Sequence, residues 1–211
     1  FQSKRIEKTP EILKRLDILF QQGISPSMIK KYFTCPLDFY YQYVLKFGEE
    51  EKVEEEVESN TFGTLIHSVL EGLYQPFQGT HPGGVPTLVT VADIDKMLQT
   101  FEKKLFDEFK NYFNGDEQGF LTGKNFLSYS MSIEMCRQFL QSEKEILTKN
   151  PDTSLYIKAL EKRVEGELEV EVFGQKKTIK LKGYIDRVDE LNGNIRILDY
   201  KTGKVYQKDV A

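Results

Sequence analysis

Cysteine is scarce in this sequence, with two residues in 211. That is too few for a disulfide framework, so a bridge-stapled secreted scaffold is excluded and a reducing cytoplasm is the expected setting. Nowhere do about 18 apolar residues run together, which excludes a membrane-spanning helix. The start, Phe1-Gln2-Ser3-Lys4-Arg5, has neither an initiator Met nor an apolar signal core and reads as part of something longer. Internal repeats are absent, and the one low-complexity tract is a run of glutamates. What is present in quantity is apolar residue, 39% of the chain, enough for the core of one large domain or two small ones.

The net charge of -4 would at first disfavour a polyanionic partner. Residues 49–58 alone hold seven Glu and one Lys, a local charge of -6 that leaves the remainder of the chain at +2. The acidity is therefore confined to one segment, expected to be a mobile surface loop. Basic residues instead crowd the last forty positions, among them Lys176, Lys177, Lys180, Lys182, Arg187, Arg196, Lys201 and Lys204. A polyanion could be met there.

Apolar spacing predicts helices over 10–22, from Ser25-Pro26 to Cys35, across LDFYYQYVLKF, over 61–75, and over about 91–113 and 123–149. Met28, Ile29, Tyr32 and Phe33 share one face of the second of these. Residues 75–86, rich in Gly and Pro, read as a loop. Beyond Pro151 the period changes to two. Over 156–172 the apolar residues fall at even positions, and turns at Gly174-Gln175 and Asn192-Gly193 lead into TIKLKGYIDRVDE and IRILDYK. Three antiparallel strands in a meander are expected.

The Asn192-Gly193 turn sets a register. A two-residue type I′ loop makes Leu191 face Asn194, so paired numbers sum to 385 and Asp186 lies opposite Asp199. Like charges at that spacing are destabilising without compensation, and a divalent cation is the natural compensation. Lys201, two residues beyond Asp199, shares its face. Two carboxylates and an ammonium suit metal-assisted phosphodiester hydrolysis; the plainer alternative is a surface salt bridge between Asp199 and Lys201. His67 lies off the apolar stripe of its helix, beside Thr64 and Glu71, and is either solvated or presented toward a site on the sheet. His81, in the Gly/Pro loop, reads as ordinary surface.

The strings Gly63-Thr64-Leu65-Ile66-His67, Gly183-Tyr184-Ile185-Asp186-Arg187-Val188-Asp189 and Asp199-Tyr200-Lys201-Thr202-Gly203 resemble the successive motifs of the PD-(D/E)XK nuclease superfamily, in its RecB/AddB-like branch. The likeness runs from about Ser25 to Gly203. It implies an α+β, restriction-endonuclease-like core with a three-stranded antiparallel meander and a mostly helical N-terminal part. Residues 1–60 would form a helical segment with the acidic loop, and 61–211 a nuclease core lacking its closing elements at the C-terminus.

The resemblance also implies that His67, Asp186, Asp199 and the backbone carbonyl of Tyr200 are ligands of Mg²⁺ or Mn²⁺, and that Lys201 is the catalytic lysine. Glu71 and Glu161 match accessory acidic positions. Lys182, Arg187 and Lys204 are candidates for DNA contact. If Gly174-Gln175 also sets a two-residue loop, Arg163 faces Asp186 and Glu161 and Glu165 flank the site. In some relatives the cysteine corresponding to Cys35 begins an iron–sulfur set, but one cysteine cannot hold a cluster without others beyond Ala211, so Cys35 and Cys136 are expected to be small buried residues. The activity implied is that of a DNA exonuclease in repair or recombination, with DNA as substrate and a helicase as domain or subunit partner. Two other readings are a nuclease fold kept as an inactive DNA-binding scaffold and a helical interaction domain with a β-hairpin appendage.

Overall fold

The structure, a computed structural model, describes residues 5–47, 59–79, 84–172 and 174–203. The acidic run at 49–58, His81 and Lys204 lie outside the described residues. Two compact units partition the chain, the first made of residues 1–53 and 163–184, the second of residues 54–162 and 185–211. Among the described residues no helix is long and apolar enough to cross a membrane.

In the first unit, α1 (Pro10–Gln22) begins where the Thr9 hydroxyl accepts from Ile12 N–H and ends at Gly23, whose φ of 97° suits glycine. The next helix, α2 (Pro26–Thr34), starts from Ser25, whose hydroxyl accepts from Met28 N–H at 3.3 Å, with Pro26 preset at the first helical position. The segment after Cys35-Pro36, expected to be one amphipathic helix, is a single turn, α3 (Pro36–Phe39), followed by a π-turn over Tyr40–Val44 closed by Leu45 N–H to Tyr40 O at 2.9 Å. Aromatic crowding accompanies that change, because Phe39, Tyr40, Tyr41 and Tyr43 stack in tilted pairs through this stretch. Ile24, Met28, Phe39 and Val44 form the small core, while Ile29, Tyr32 and Phe33 of the expected α2 face stay exposed. Cys35 is half-buried rather than buried. Ile24 bridges Leu181 through paired main-chain bonds to Lys180 O and from Lys182 N.

The second unit holds α4 (Ser59–Tyr74), α5 (Val91–Tyr112), the short α6 (Gln118–Leu121) and α7 (Gly123–Lys149). A capping box between Thr90 and Asp93 opens α5, and Ile94, Met97, Phe101, Leu105 and Phe109 follow at three- and four-residue steps on its buried face. The matching stripe of α7 is Ser132, Cys136, Leu140, Glu143 and Leu147, which places a carboxylate on a core position. Cys136 is fully buried, as expected. Rings of Phe109, Phe120 and Tyr129 meet at 5.1–5.5 Å between them.

The sheet is the expected meander, order β1 (Leu155–Val172), β2 (Gln175–Leu191), β3 (Asn194–Leu198). Between β2 and β3 the ladder runs from Leu191↔Asn194 to Arg187↔Leu198, the register derived from the Asn192-Gly193 turn. Along β1 the alternation differs from the even-numbered pattern expected. Leu155, Ile157 and Ala159 are buried at odd positions, Leu160 is buried too, and Glu161 takes a left-handed φ of 43°. The strand bulges at that residue, so the parity of its inward face changes there.

Candidate metal centre

Helix α4 presents His67 on the flank of its apolar stripe, the β1 bulge presents Glu161, and β2 presents Asp186, all within the second unit. Each offers one donor atom, and the three atoms lie within 4.8 Å of one another. His67 Nδ1 is 3.7 Å from Asp186 Oδ2 and 3.9 Å from Glu161 Oε1. His67 Nε2 lies 2.9 Å from the carbonyl oxygen of Tyr200. A carbonyl can only accept, so Nε2 carries a proton, and Nδ1 is the nitrogen turned toward the carboxylates. A ring nitrogen tethered to a backbone carbonyl is the usual support for a ligating histidine.

Asp186 is fixed from the other side, for its Oδ2 accepts from Tyr200 N–H at 2.5 Å. Tyr200 therefore holds both groups with one peptide segment, its N–H on the aspartate and its C=O on the histidine. Burial, first of all, pushes the Asp186 carboxyl above the usual carboxylate range; the Tyr200 N–H and His67 oppose that rise and Asp199 adds to it. Glu161 is likewise raised by burial and then by Asp186, with His67 opposing and Glu71 contributing. Two carboxylates that resist ionisation beside each other, with an imidazole nitrogen directed at them, make a donor set that fits a divalent cation.

The register derived from the turn would seat Asp199 opposite Asp186. The ladder stops one pair short, at Arg187↔Leu198, and the bond that would continue it goes from Tyr200 N–H to the Asp186 side chain. Asp199 remains near enough to raise the Asp186 pKa, yet its carboxylate stands outside the three-residue group, pairs with the Lys201 ammonium and is 58% exposed. Lys201 is 61% exposed. The Tyr200 carbonyl, expected among the metal ligands, acts on His67. Glu161, ranked from sequence as an accessory, lies inside the group, and Glu71 is near enough to act on its charge.

The expected DNA contact at Arg187 is overturned. Its side chain has 0% exposure and is sandwiched in a buried ion cluster: Nε donates to Asp189 Oδ2 at 2.7 Å and Nη2 to Glu143 Oε2 at 2.6 Å. Arg196 completes the cluster through Nε to Asp189 Oδ1 at 2.7 Å. Lys182 donates to Gln22 O in the first unit, where Arg163 pairs with Glu165. Part of this cluster was accessible from the sequence, since the register that pairs 186 with 199 also pairs Asp189 with Arg196. Glu143 showed itself only as an acid on an apolar helical stripe.

A sequence profile described as the PD-(D/E)XK nuclease superfamily matches residues 23–211. Among curated proteins, the chain is 27% identical over 194 residues to one of the subunits of an ATP-dependent helicase/deoxyribonuclease from Carboxydothermus hydrogenoformans, covering 90% of this chain and 17% of that protein. It is 24% identical over 199 residues to an uncharacterized protein from Rickettsia bellii, covering 90% of this chain and 20% of that protein. The chain thus spans a fifth or less of the length of these relatives.

Proposed function

Because the chain belongs to the PD-(D/E)XK nuclease superfamily, we propose that it is a Mg²⁺- or Mn²⁺-dependent deoxyribonuclease module, exonucleolytic in mode, serving a cytoplasmic DNA repair or recombination protein that also has a helicase as domain or subunit. The helicase context rests on the name of the Carboxydothermus relative. The single observation that carries the chemistry is the convergence of His67, Glu161 and Asp186 beside the Asp199–Lys201 pair.

In this reading His67, Asp186 and Glu161 would hold the cation, and Asp199, paired with Lys201 in the metal-free protein, would be a further ligand. A divalent ion so held supplies Lewis acidity toward a phosphate oxygen and makes water a better nucleophile. Tyr200 keeps Asp186 and the His67 ring oriented through its main chain. Lys201, released from Asp199 and open to solvent, places an ammonium where negative charge grows on the phosphate, or orients the attacking water.

The test uses the whole protein to which this chain belongs, with end-labelled DNA and Mg²⁺ or Mn²⁺. Asp199→Ala and Lys201→Ala are expected to lose cleavage by at least about 10², with thermal unfolding unchanged because both side chains are exposed. Metal-dependent cleavage at wild-type rate in either variant would sink the assignment. Intact DNA binding without cleavage in the wild type would instead make the domain a scaffold.

A further inference from the structure

The buried cluster behind the candidate site holds two guanidiniums, Arg187 and Arg196, against two carboxylates, Glu143 and Asp189, so its charges cancel. The Arg187 guanidinium also lies over the Tyr74 ring at 4.3 Å, and Tyr74 Oη donates to Glu143 at 3.4 Å. Apolar residues of similar volume are often as stabilising as a buried ion pair, so stability alone gives little reason for such a cluster. What distinguishes ionic and hydrogen-bonded contacts is that they fix direction.

Tyr200 lies next to this cluster, across the Phe139 ring. The Arg187 guanidinium carbon lies 5.9 Å from the centroid of the Phe139 ring, which in turn packs against Tyr200. Arg187 Nη1 and Tyr200 Oη are the two buried side-chain polar atoms without a hydrogen-bond partner among the described residues. The Tyr200 ring is gripped edge-on by Phe139 at 5.1 Å and by the His67 ring at 5.4 Å. Its main chain then makes the two bonds that orient Asp186 and His67. Arg187 is moreover the chain neighbour of Asp186, pointing to the opposite face of β2.

We propose that Arg187, locked by Glu143 and Asp189, is a positioning residue that sets Tyr200, and through Tyr200 the orientation of the His67 ring and the Asp186 carboxylate. The proposal rests on the nuclease reading only for its consequence in metal binding; the orientation itself is a property of the metal-free protein. Removing an arginine fork from this cluster should loosen two ligands at once without touching either.

In the whole protein to which this chain belongs, the imidazole ¹⁵N resonances that disappear in a His67→Gln variant identify His67, and in alkaline buffer they report its tautomer directly. In metal-free protein we expect one tautomer, protonated at Nε2. In Arg187→Lys, Glu143→Gln and Phe139→Leu variants shown to be folded by circular dichroism, averaged resonances of two tautomers are expected, with the Mn²⁺ dissociation constant from calorimetry raised about tenfold. A folded variant set that keeps the single tautomer and the wild-type Mn²⁺ affinity would overturn the proposal. If Arg187→Lys does not fold, the other two carry the test. A wild type that binds no Mn²⁺ defeats the nuclease reading, and the imidazole resonances still decide the positioning role.

Discussion

Substituting Asp186 by Asn is expected to make the metal-free protein more stable while removing its response to metal. Asp186 and Glu161 offer oxygens within 4.8 Å of each other, which for two full charges at an effective dielectric near 20 corresponds to about 3 kcal/mol of repulsion. Glu161 is 34% exposed, so solvent screening brings the usable figure down to about 1 kcal/mol. Against this stands the Tyr200 N–H bond to the carboxylate, which an Asn oxygen can still accept, more weakly. The balance is signed by the titration: burial and Asp199 together outweigh Tyr200 and His67 and hold the carboxyl above its ordinary range, so the fold prefers a neutral group there. For a chain of this length about 1 kcal/mol is about 2–4 °C in melting temperature. Scanning fluorimetry without metal should therefore show Asp186→Asn melting a few degrees above wild type. With Mn²⁺ at about 100 times its dissociation constant, wild type gains about 2.7 kcal/mol and overtakes the variant, which gains nothing. An Asp186→Asn protein that melts lower than wild type without metal, or that is stabilised by Mn²⁺ as much, would refute the reasoning.

Arg187→Met leaves Glu143 and Asp189, 4% and 0% exposed, with Arg196 as their remaining cation, and should cost about 3–5 kcal/mol in urea unfolding; a loss below about 1 kcal/mol would show that the cluster is not held by Arg187. Burial pushes the Cys136 thiol from 9.0 up to about 12. A folded pKa raised above the unfolded one gives stability that is intact below pH 9 and lost as pH climbs toward 12, by about 1.4 kcal/mol per pH unit. Urea midpoints measured across that window should fall less steeply in Cys136→Ala, and identical slopes would show that Cys136 is not the group responsible.

Short-range chemistry explains which parts of this molecule could be read without coordinates. Thr9-Pro10, Ser25-Pro26 and Thr90 with Asp93 are helix starts because their side chains satisfy nearby main-chain N–H groups, and Asn192-Gly193 sets a ladder because a two-residue turn admits one register. The π-turn at Tyr40–Val44 and the left-handed Glu161 escaped. Each is a departure by a single residue that local propensity does not encode and that packing around it enforces. The same limit applies to the site. His67, Asp186, Asp199 and Lys201 were legible as motif and register, whereas the entry of Glu161 into the cluster follows from a bulge.

By itself the sequence determined the α+β class, the three-stranded meander, the family and a short list of acidic, imidazole and ammonium groups as candidates for a site, because these follow from periodicity, turn chemistry and motif order. Only the tertiary structure decided which of them meet. It placed Glu161 against His67 and Asp186, turned Asp199 toward Lys201, gave Tyr200 the task of holding two groups with one peptide segment, and took Arg187 from the surface, where its charge suggested DNA, into the core. The physical reason is that a charged side chain is buried when partners distant in sequence neutralise it, and Glu143 on α7 is 44 residues from the arginine it holds.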